Sequence, residues 1–285
     1  MKFASPLRYP GGKSAMVALL SQIRKLNGLG AHAVAEPFAG GAGASLKMLF
    51  IEETPDIYIN DIDHAIHSFW WSVVNRTQQF IEMLTKTHIS MAEWRHQREV
   101  YRQQQNVSRL RLGFAAFYLN RCNRSGIIVN GGPIGGVEQT GKWKLAVRYN
   151  KSELLRRCLK VAEYRDRIHV TGLDGLKFIE SADPNTTLLF IDPPYFVKGE
   201  MLYLNSLSEE YHASLEARLR SMKEATWVLT YDDCPQIRRM YRDWATIKPF
   251  SLKYATSRRR IGNELLIVPR GIRLPATQPS AALKW

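Results

Sequence analysis

Six short apolar runs bounded by turn residues stand out along the chain, two groups separated by a long polar middle. They are AVAEPF (33–38), IYIN (57–60), IHV (168–170), TLLFID (187–192), TWVLTY (226–231) and ELLIV (264–268). Several are almost continuously apolar rather than alternating, the pattern of strands covered on both faces. Helical periodicity lies between them. After Ser206-x-x-Glu209, a capping-box pattern, the apolar positions Tyr211, Leu215, Leu219 and Met222 recur at spacings of four, four and three. Another helix is predicted after the glycines at 40–43, carrying Leu46, Leu49 and Phe50. Strand–helix alternation of this kind predicts an α/β fold with a mostly parallel sheet.

The middle reads differently. Residues 64–119 carry helical patterns rich in Trp, Gln and Arg, and GIIVNGGPIGGVEQTGKWKLAVRY (126–149) is Gly-rich with a predicted hairpin. The expected organisation is one α/β domain split in sequence, 1–63 and 166–285, around a largely helical insertion at 64–165.

Charge sharpens this picture. The 285 residues carry 40 Lys and Arg against 26 Asp and Glu, a net charge of +14. Between Lys86 and Arg167 there are 17 basic and 6 acidic residues, so +11 of that total falls in one stretch. Such concentration favours a polyanionic partner, nucleic acid, over a merely solvated face. No clear basic amphipathic helix points to a membrane surface, and no apolar run approaches the ~18–20 residues of a bilayer span. Pro6, Arg8 and Pro10 interrupt any signal-peptide core, so a cytoplasmic protein is expected. The three cysteines, Cys122, Cys158 and Cys234, are far apart with no C-x-x-C pair, so neither a disulfide framework nor a metal site is expected.

Four motifs carry chemistry. PGGKS (10–14) resembles the end of a phosphate-binding loop, but that motif requires glycine at position 7, where Leu7 stands. Asp192-Pro193-Pro194-Tyr195 follows the apolar run LLFI, at the strand end where open α/β sheets bind ligands. The prolines remove two N–H donors, leaving the Asp192 side chain and the Pro193 carbonyl as acceptors suited to a planar amino group. Tyr195 offers a ring face for a base, or packs locally. Glu36-Pro37-Phe38-Ala39-Gly40-Gly41-Ala42-Gly43 also follows a strand; its acid suits a cationic or hydroxyl-bearing ligand rather than a pyrophosphate, and a plain tight turn is the alternative. Asp61, with Asp63 as competitor, ends the next strand, where an acid holds ribose hydroxyls or caps a helix.

EPFAGGAG followed by DPPY resembles the amino-methyltransferases that use S-adenosylmethionine. LRYPGGK resembles the opening motif of the Dam-type DNA adenine N6-methyltransferases of the D12 class, and the likeness continues in YLNRCNRSG (118–126), YLNSLSEEYHASL, VLTYDD (228–233) and RRRIGNELLIV. It covers most of the chain and thins between 64 and 110. The resemblance implies a Rossmann-like methyltransferase domain, S-adenosylmethionine as cofactor, and a target-recognition insertion. It implies that Tyr9, Gly12 and Lys13 close over the cofactor, that Glu36, Phe38, Gly40 and Gly43 line it, that Asp61 takes the ribose, and that Asp174 lies near the cofactor's adenine. Asp174 also reads as an ordinary Asp-Gly turn. Asp192, Pro193, Pro194 and Tyr195 become the catalytic motif, with Asp192 also beside the cofactor.

Double-stranded DNA is the implied partner, with the target adenine turned out of the duplex. Arg121, Arg124, Lys142, Lys144 and Arg148 are the candidate DNA contacts, and Arg258, Arg259 and Arg260 form either a backbone clamp or a solvated basic loop. His212 reads as a packing or surface residue. Arg124 stands where members that read GATC carry an aromatic, so adenine is implied as the target but not its flanking sequence. A monomer without metal is expected. The competing readings are an RNA adenine N6-methyltransferase, an inactive DNA-binding protein of the same fold, and a nucleoside-triphosphatase with a broken loop.

Overall fold

The run Thr187–Ile191 is a strand buried at every position, and its alternating side chains explain why. Leu188 and Phe190 join one apolar cluster, while Leu189 and Ile191 join another on the opposite face of the sheet. The structure, a computed structural model, describes residues 4–8, 13–196, 207–254, 260–276 and 283–284, with only the backbone of 252–254, 260–262 and 283–284.

A 3-10 turn at Lys13–Met16 leads into α1 (Val17–Leu26), then β1 (Ala33–Glu36), α2 (Gly43–Phe50) and β2 (Ile57–Asn60). The helices α3 (His64–Asn75), α4 (Thr77–Lys86), α5 (Met91–Gln103), α6 (Arg109–Cys122) and α7 (Lys151–Glu163) fill the link to β3 (Ile168–Thr171). There follow α8 (Gly175–Ser181), β4 (Thr187–Ile191), α9 (Glu209–Ser221), β5 (Thr226–Asp232), α10 (Pro235–Tyr241), β6 (Ala245–Tyr254), β7 (Arg260–Pro269) and β8 (Leu283–Lys284). The strand order is β3-β2-β1-β4-β5-β7-β6-β8. The first five strands in sequence run parallel, and β7 and β6 extend the sheet in antiparallel fashion. The six predicted strands are all present; β6 and β8 are additional.

One face of the sheet packs against α8, α9 and α10 through Phe178, Ile179, Leu215, Leu219, Ile237 and Tyr241. On the other face, a single buried cluster runs from Val34, Ile57 and Phe190 to Phe69, Phe80, Phe114 and Phe117 of the helical link. The link is thus largely helical, as expected, but it shares its core with the sheet. Helix α6 is buried along the whole of Leu112–Cys122; most of that stretch is apolar, and its buried Asn120 and Arg121 are bonded to backbone carbonyls. Its contact with α3 depends on Gly113, where an added Cβ would lie 2.4 Å from the Ser68 carbonyl oxygen and 2.8 Å from Phe69 Cα. Gly113→Ala is therefore expected to lower stability by about 1–3 kcal/mol through overpacking, read as a fall in Tm.

Two local expectations are corrected. The 126–149 segment forms no hairpin: it is a run of turns with one isolated bridge, Asn123 to Pro133. Gly126, Gly132, Gly135, Gly136 and the non-glycine Gln139 all take positive φ, which breaks any extended ladder. The cap of α9 is Ser208, whose Oγ accepts the Tyr211 N–H; Ser206 lies outside the described residues.

Candidate active site

The strand order reverses between β1 and β4, because β2 and β3 continue on one side and β5 on the other. Such a switch point opens a crevice at the carboxyl ends of the two strands. Register pairs Ala35 with Leu189, so the glycine motif and Asp192-Pro193-Pro194-Tyr195 emerge side by side at this crevice.

Glu36 ends β1 and is buried, its Oε1 accepting the Ser45 N–H at 2.8 Å in the first turn of α2. Burial pushes its carboxyl up to about 7, and the charge of Asp192 adds to the effect. Gly40 turns the chain at φ +47°. Its N–H donates to Asp61 Oδ2 and its carbonyl accepts from Trp70 Nε1, each at 2.8 Å. Asp61 Oδ1 accepts the Asp63 N–H, and desolvation with the nearby Asp63 charge raises the Asp61 carboxyl to about 7. Asp63 itself caps α3, accepting from Ala65 and Ile66. The two candidate acids therefore separate: Asp61 braces the glycine turn and Asp63 starts the helix.

Gly43 opens α2, and a Cβ there would meet Ser14 Oγ at 2.7 Å, so this glycine admits the N-terminal 3-10 turn. Asp174 caps α8 through Oδ1, while its Oδ2 accepts the Tyr211 hydroxyl at 2.9 Å. Phe38 lies edge-on to Tyr211 and against Gly175, so Phe38 and Asp174 share one rim of the crevice. Asn60, fully buried, ties three strand ends together. Its Nδ2 donates to the Pro37 and Leu173 carbonyls, and its Oδ1 accepts from Leu173 N–H and the Thr171 hydroxyl. Its signal in the sequence was a polar residue closing the apolar run IYIN.

The Asp192-Pro193-Pro194-Tyr195 motif is held from an unexpected direction. Asp192 Oδ1 accepts the Thr230 hydroxyl at 2.6 Å and faces Lys13 Nζ at 3.2 Å. Lys13 also donates to the Tyr195 hydroxyl, lies 5.0 Å from that ring's centroid, and faces Glu264 Oε2 at 3.3 Å. The Lys13 and Glu264 side chains are 5% and 1% exposed, while Asp192 is 23% exposed and Tyr195 is half-buried, so Asp192 and Tyr195 are the members of this group open to a ligand. Asp232 completes the support by accepting the Phe196 N–H. Lys13 thus sits on the Asp192-Pro193-Pro194-Tyr195 motif rather than on the glycine turn, and Tyr9 and Gly12 lie outside the described residues. Thr230, Asp232 and Glu264 escaped sequence reasoning: Thr230 and Glu264 read as members of apolar strands, and Asp232 followed one without being singled out. His212 is buried under Phe196 with Nδ1 at 2.6 Å from the Tyr231 hydroxyl, a packing role as expected.

A family model, D12 class N6 adenine-specific DNA methyltransferase, matches residues 9–261. The chain belongs to this family. Membership makes it a methyltransferase, in agreement with the resemblance in its motifs. No curated protein matches. Among solved structures, a conserved hypothetical protein of Streptococcus pyogenes aligns at 9% identity with a TM-score of 0.34, covering 85% of this chain and 88% of that one. A likeness that low carries no argument.

In this D12-class chain, the basic candidates divide by burial. Arg121 is interior: it is 7% exposed, its Nε donates to the Arg148 carbonyl and its Nη1 to the Pro6 carbonyl. Burial and the charges of Arg157 and Arg8 lower its guanidinium to about 9. Arg121, expected as a DNA contact, is thus set apart from the exposed basic candidates: it is buried, with two of its nitrogens bonded to backbone carbonyls inside the protein. Arg124, Lys142, Lys144 and Arg148 are exposed on the turn-rich loop. That loop is built around Gln139, whose side chain donates to the Ile134 and Gly136 carbonyls and accepts from Leu145 N–H. It presents Trp143, 61% exposed, with Lys142 over its ring. Arg258 and Arg259 lie outside the described residues, and Arg260 begins β7 with only its backbone described.

The LNR motif also reaches the N-terminus. Asn120 accepts the Arg8 N–H and donates to the carbonyls of Arg8 and Gly126. It docks the chain just before PGGK onto α6. Among the described residues, no helix is long and apolar enough to cross a membrane.

Proposed function

We propose that this protein transfers a methyl group from S-adenosylmethionine to the N6 amino group of adenine in double-stranded DNA, with the target base turned out of the helix. The observation that carries the reading is the locked carboxylate of Asp192. Thr230 and Lys13 both engage Oδ1, which restrains the rotation of the carboxylate, and we assign Oδ2 as the acceptor for substrate. Pro193 and Pro194 offer no competing N–H.

The residues present fit the proposed cofactor. The crevice floor holds two carboxyl groups raised to about 7, Glu36 and Asp61. That donor set suits a cation and hydroxyl groups; a pyrophosphate would be repelled. Lys13, the one lysine of PGGKS, faces carboxylates, which removes the triphosphate reading on chemical grounds. When bound, S-adenosylmethionine supplies an electrophilic methyl on a sulfonium.

The protein's own contribution is positioning and charge. An exocyclic adenine amine is a poor nucleophile because its lone pair is delocalised into the ring. Accepting its N–H bonds at Asp192 Oδ2 and the Pro193 carbonyl localises that pair on nitrogen, and in this reading Oδ2 takes the proton the amine loses. Flipping the base costs a few kcal/mol, of which stacking on Tyr195 returns about 1–3 kcal/mol. We further assign target contact to the loop carrying Arg124, Lys142, Lys144 and Arg148, within the segment 64–165.

The decisive test is transfer of tritiated methyl from S-adenosylmethionine to unmethylated duplex DNA and to RNA in parallel, with the product nucleoside identified by mass spectrometry. N6-methyladenine in DNA is expected. Label in RNA alone overturns the choice of substrate, and absence of cofactor binding overturns the whole reading. For the interface, Lys142→Ala and Lys144→Ala are each expected to reduce the slope of log K against log salt by about 1. Arg121→Ala should leave that slope unchanged and lower Tm instead.

A further inference from the structure

Glu264 lies on β7 as a single acid within an apolar strand, and its side chain is 1% exposed. A carboxyl is not kept in such a place without compensating partners. Across β7, Glu264 pairs in register with Asp232 of β5 and with Phe250 of β6. Its charged and titratable neighbours are Lys13 at 3.3 Å, Asp232 across the ladder, Tyr195 and the Asp192 carboxylate. Lys13 in turn donates to the Tyr195 hydroxyl and faces Asp192 Oδ1 at 3.2 Å. The lysine is thus the common partner of Glu264, Tyr195 and Asp192.

We propose that Glu264 is a positioning residue for methyl transfer: it holds the Lys13 ammonium in place, and through it the Asp192 carboxylate and the Tyr195 hydroxyl and ring. The proposal rests on the roles given above to Asp192 and Tyr195. Its physical basis is the nature of an ammonium, a compact point charge on a flexible stem with three donors and no directional fork. Anchored only by Asp192, Lys13 would be free to shift between the two carboxylate oxygens and to cover the one offered to substrate. A second buried anion on the far side fixes it. Three oxygens from two separate parts of the chain, Asp192 Oδ1 and the Tyr195 hydroxyl of one motif and Glu264 Oε2 of β7, surround Nζ. The same lysine holds the tyrosine ring by its hydroxyl, which decides how an extruded base stacks. Burial and the charge of Asp192 raise the Glu264 carboxyl, while Lys13 opposes them, in keeping with an anion that depends on this one lysine.

The test is a double-mutant cycle on Lys13 and Glu264 with kcat, KM and base-flipping readouts. Glu264→Gln should lower kcat by about tenfold while KM for DNA and for the cofactor stay within about threefold. A 2-aminopurine placed at the target position should report altered stacking in the bound complex. In the Lys13→Met background, Glu264→Gln should cost nothing further in kcat and should raise Tm, since it removes a buried charge left without its counter-ion. Glu264→Asp, which keeps the charge, should recover part of the lost kcat and guards against loss of the Gln variant to misfolding. Unchanged kcat in Glu264→Gln, or effects that add across the cycle, overturns the proposal while wild-type transfer to DNA leaves the reading of Asp192 standing. Absence of adenine methylation by the wild type would remove both.

Discussion

Asp192→Ala is expected to lower kcat for adenine methylation by about 10²–10³-fold or more, the usual loss when a preorganised transition-state group is removed. Binding of DNA should change little, because Asp192 is 23% exposed at the floor of a crevice and the exposed basic loop lies elsewhere in the chain. Two effects combine in this substitution. The acceptor for the amino group disappears, and Lys13 loses one of the anions that hold it. Single-turnover transfer from pre-bound cofactor, alongside direct measurement of DNA affinity, separates chemistry from binding. DNA binding lost with transfer intact would refute the role given to Asp192. Thr230→Val removes only the hydroxyl that locks Oδ1, and its smaller loss in the same assay would report the value of that lock.

Lys13→Met carries the second large effect, on stability and its pH dependence as well as on kcat. Removing this 5%-exposed ammonium leaves Asp192 and Glu264 facing each other without a cation. Breaking a buried pair in this way costs about 3–5 kcal/mol. The sign of the pH dependence follows from Glu264. Its carboxyl is already raised by burial, and Lys13 is the main influence opposing that rise, so the substitution raises it further. A carboxyl whose folded value lies above its unfolded one binds its proton more tightly in the fold, and stability falls as pH rises. The deficit of the variant against wild type should therefore be small near the ordinary carboxylate range, grow as pH climbs through the raised folded value, and then level off. Tm measured for both proteins across that span checks it. A deficit independent of pH would show that Glu264 does not carry an unpaired charge in the variant. A variant whose main defect is cofactor affinity, with kcat preserved, would return Lys13 to the role its motif implied.

Much of this protein is legible without coordinates. The near-continuous apolar runs located the parallel strands, because a strand covered on both faces buries most of its side chains and favours apolar residues. The order of EPFAGG and DPPY, each after such a run, was enough to place two motifs at strand ends. Asp61 and Asp63 could not be told apart by spacing, since both ribose binding and helix capping use an acid after a strand; only the hydrogen bonds to Gly40 and Ala65 separated them. Strand β6 escaped because Lys248 and Pro249 interrupt its pattern; among the described residues β8 pairs only with Ser251 and Leu252, so Pro249 has a ladder partner on the β7 side alone. The hairpin expected after LNR failed for the opposite reason. Its apolar residues were read as strand, but the glycines between them adopt left-handed turns organised by the Gln139 side chain.

What the amino-acid sequence determined by itself, then, is periodicity, motif order and the family they indicate. Those are local properties, written in neighbouring residues. Which charges are buried and which face solvent was decided only by tertiary structure. Arg121 and Arg124 are three positions apart in one basic motif, yet the first is locked to interior carbonyls and the second is exposed. Lys13 and Glu264 lie near opposite ends of the chain, and neither sequence environment announces the other. Burial and ion pairing depend on which distant segments pack together, and the antiparallel insertion of β7 beside β5 is what sets Glu264 against the lysine of the N-terminal motif.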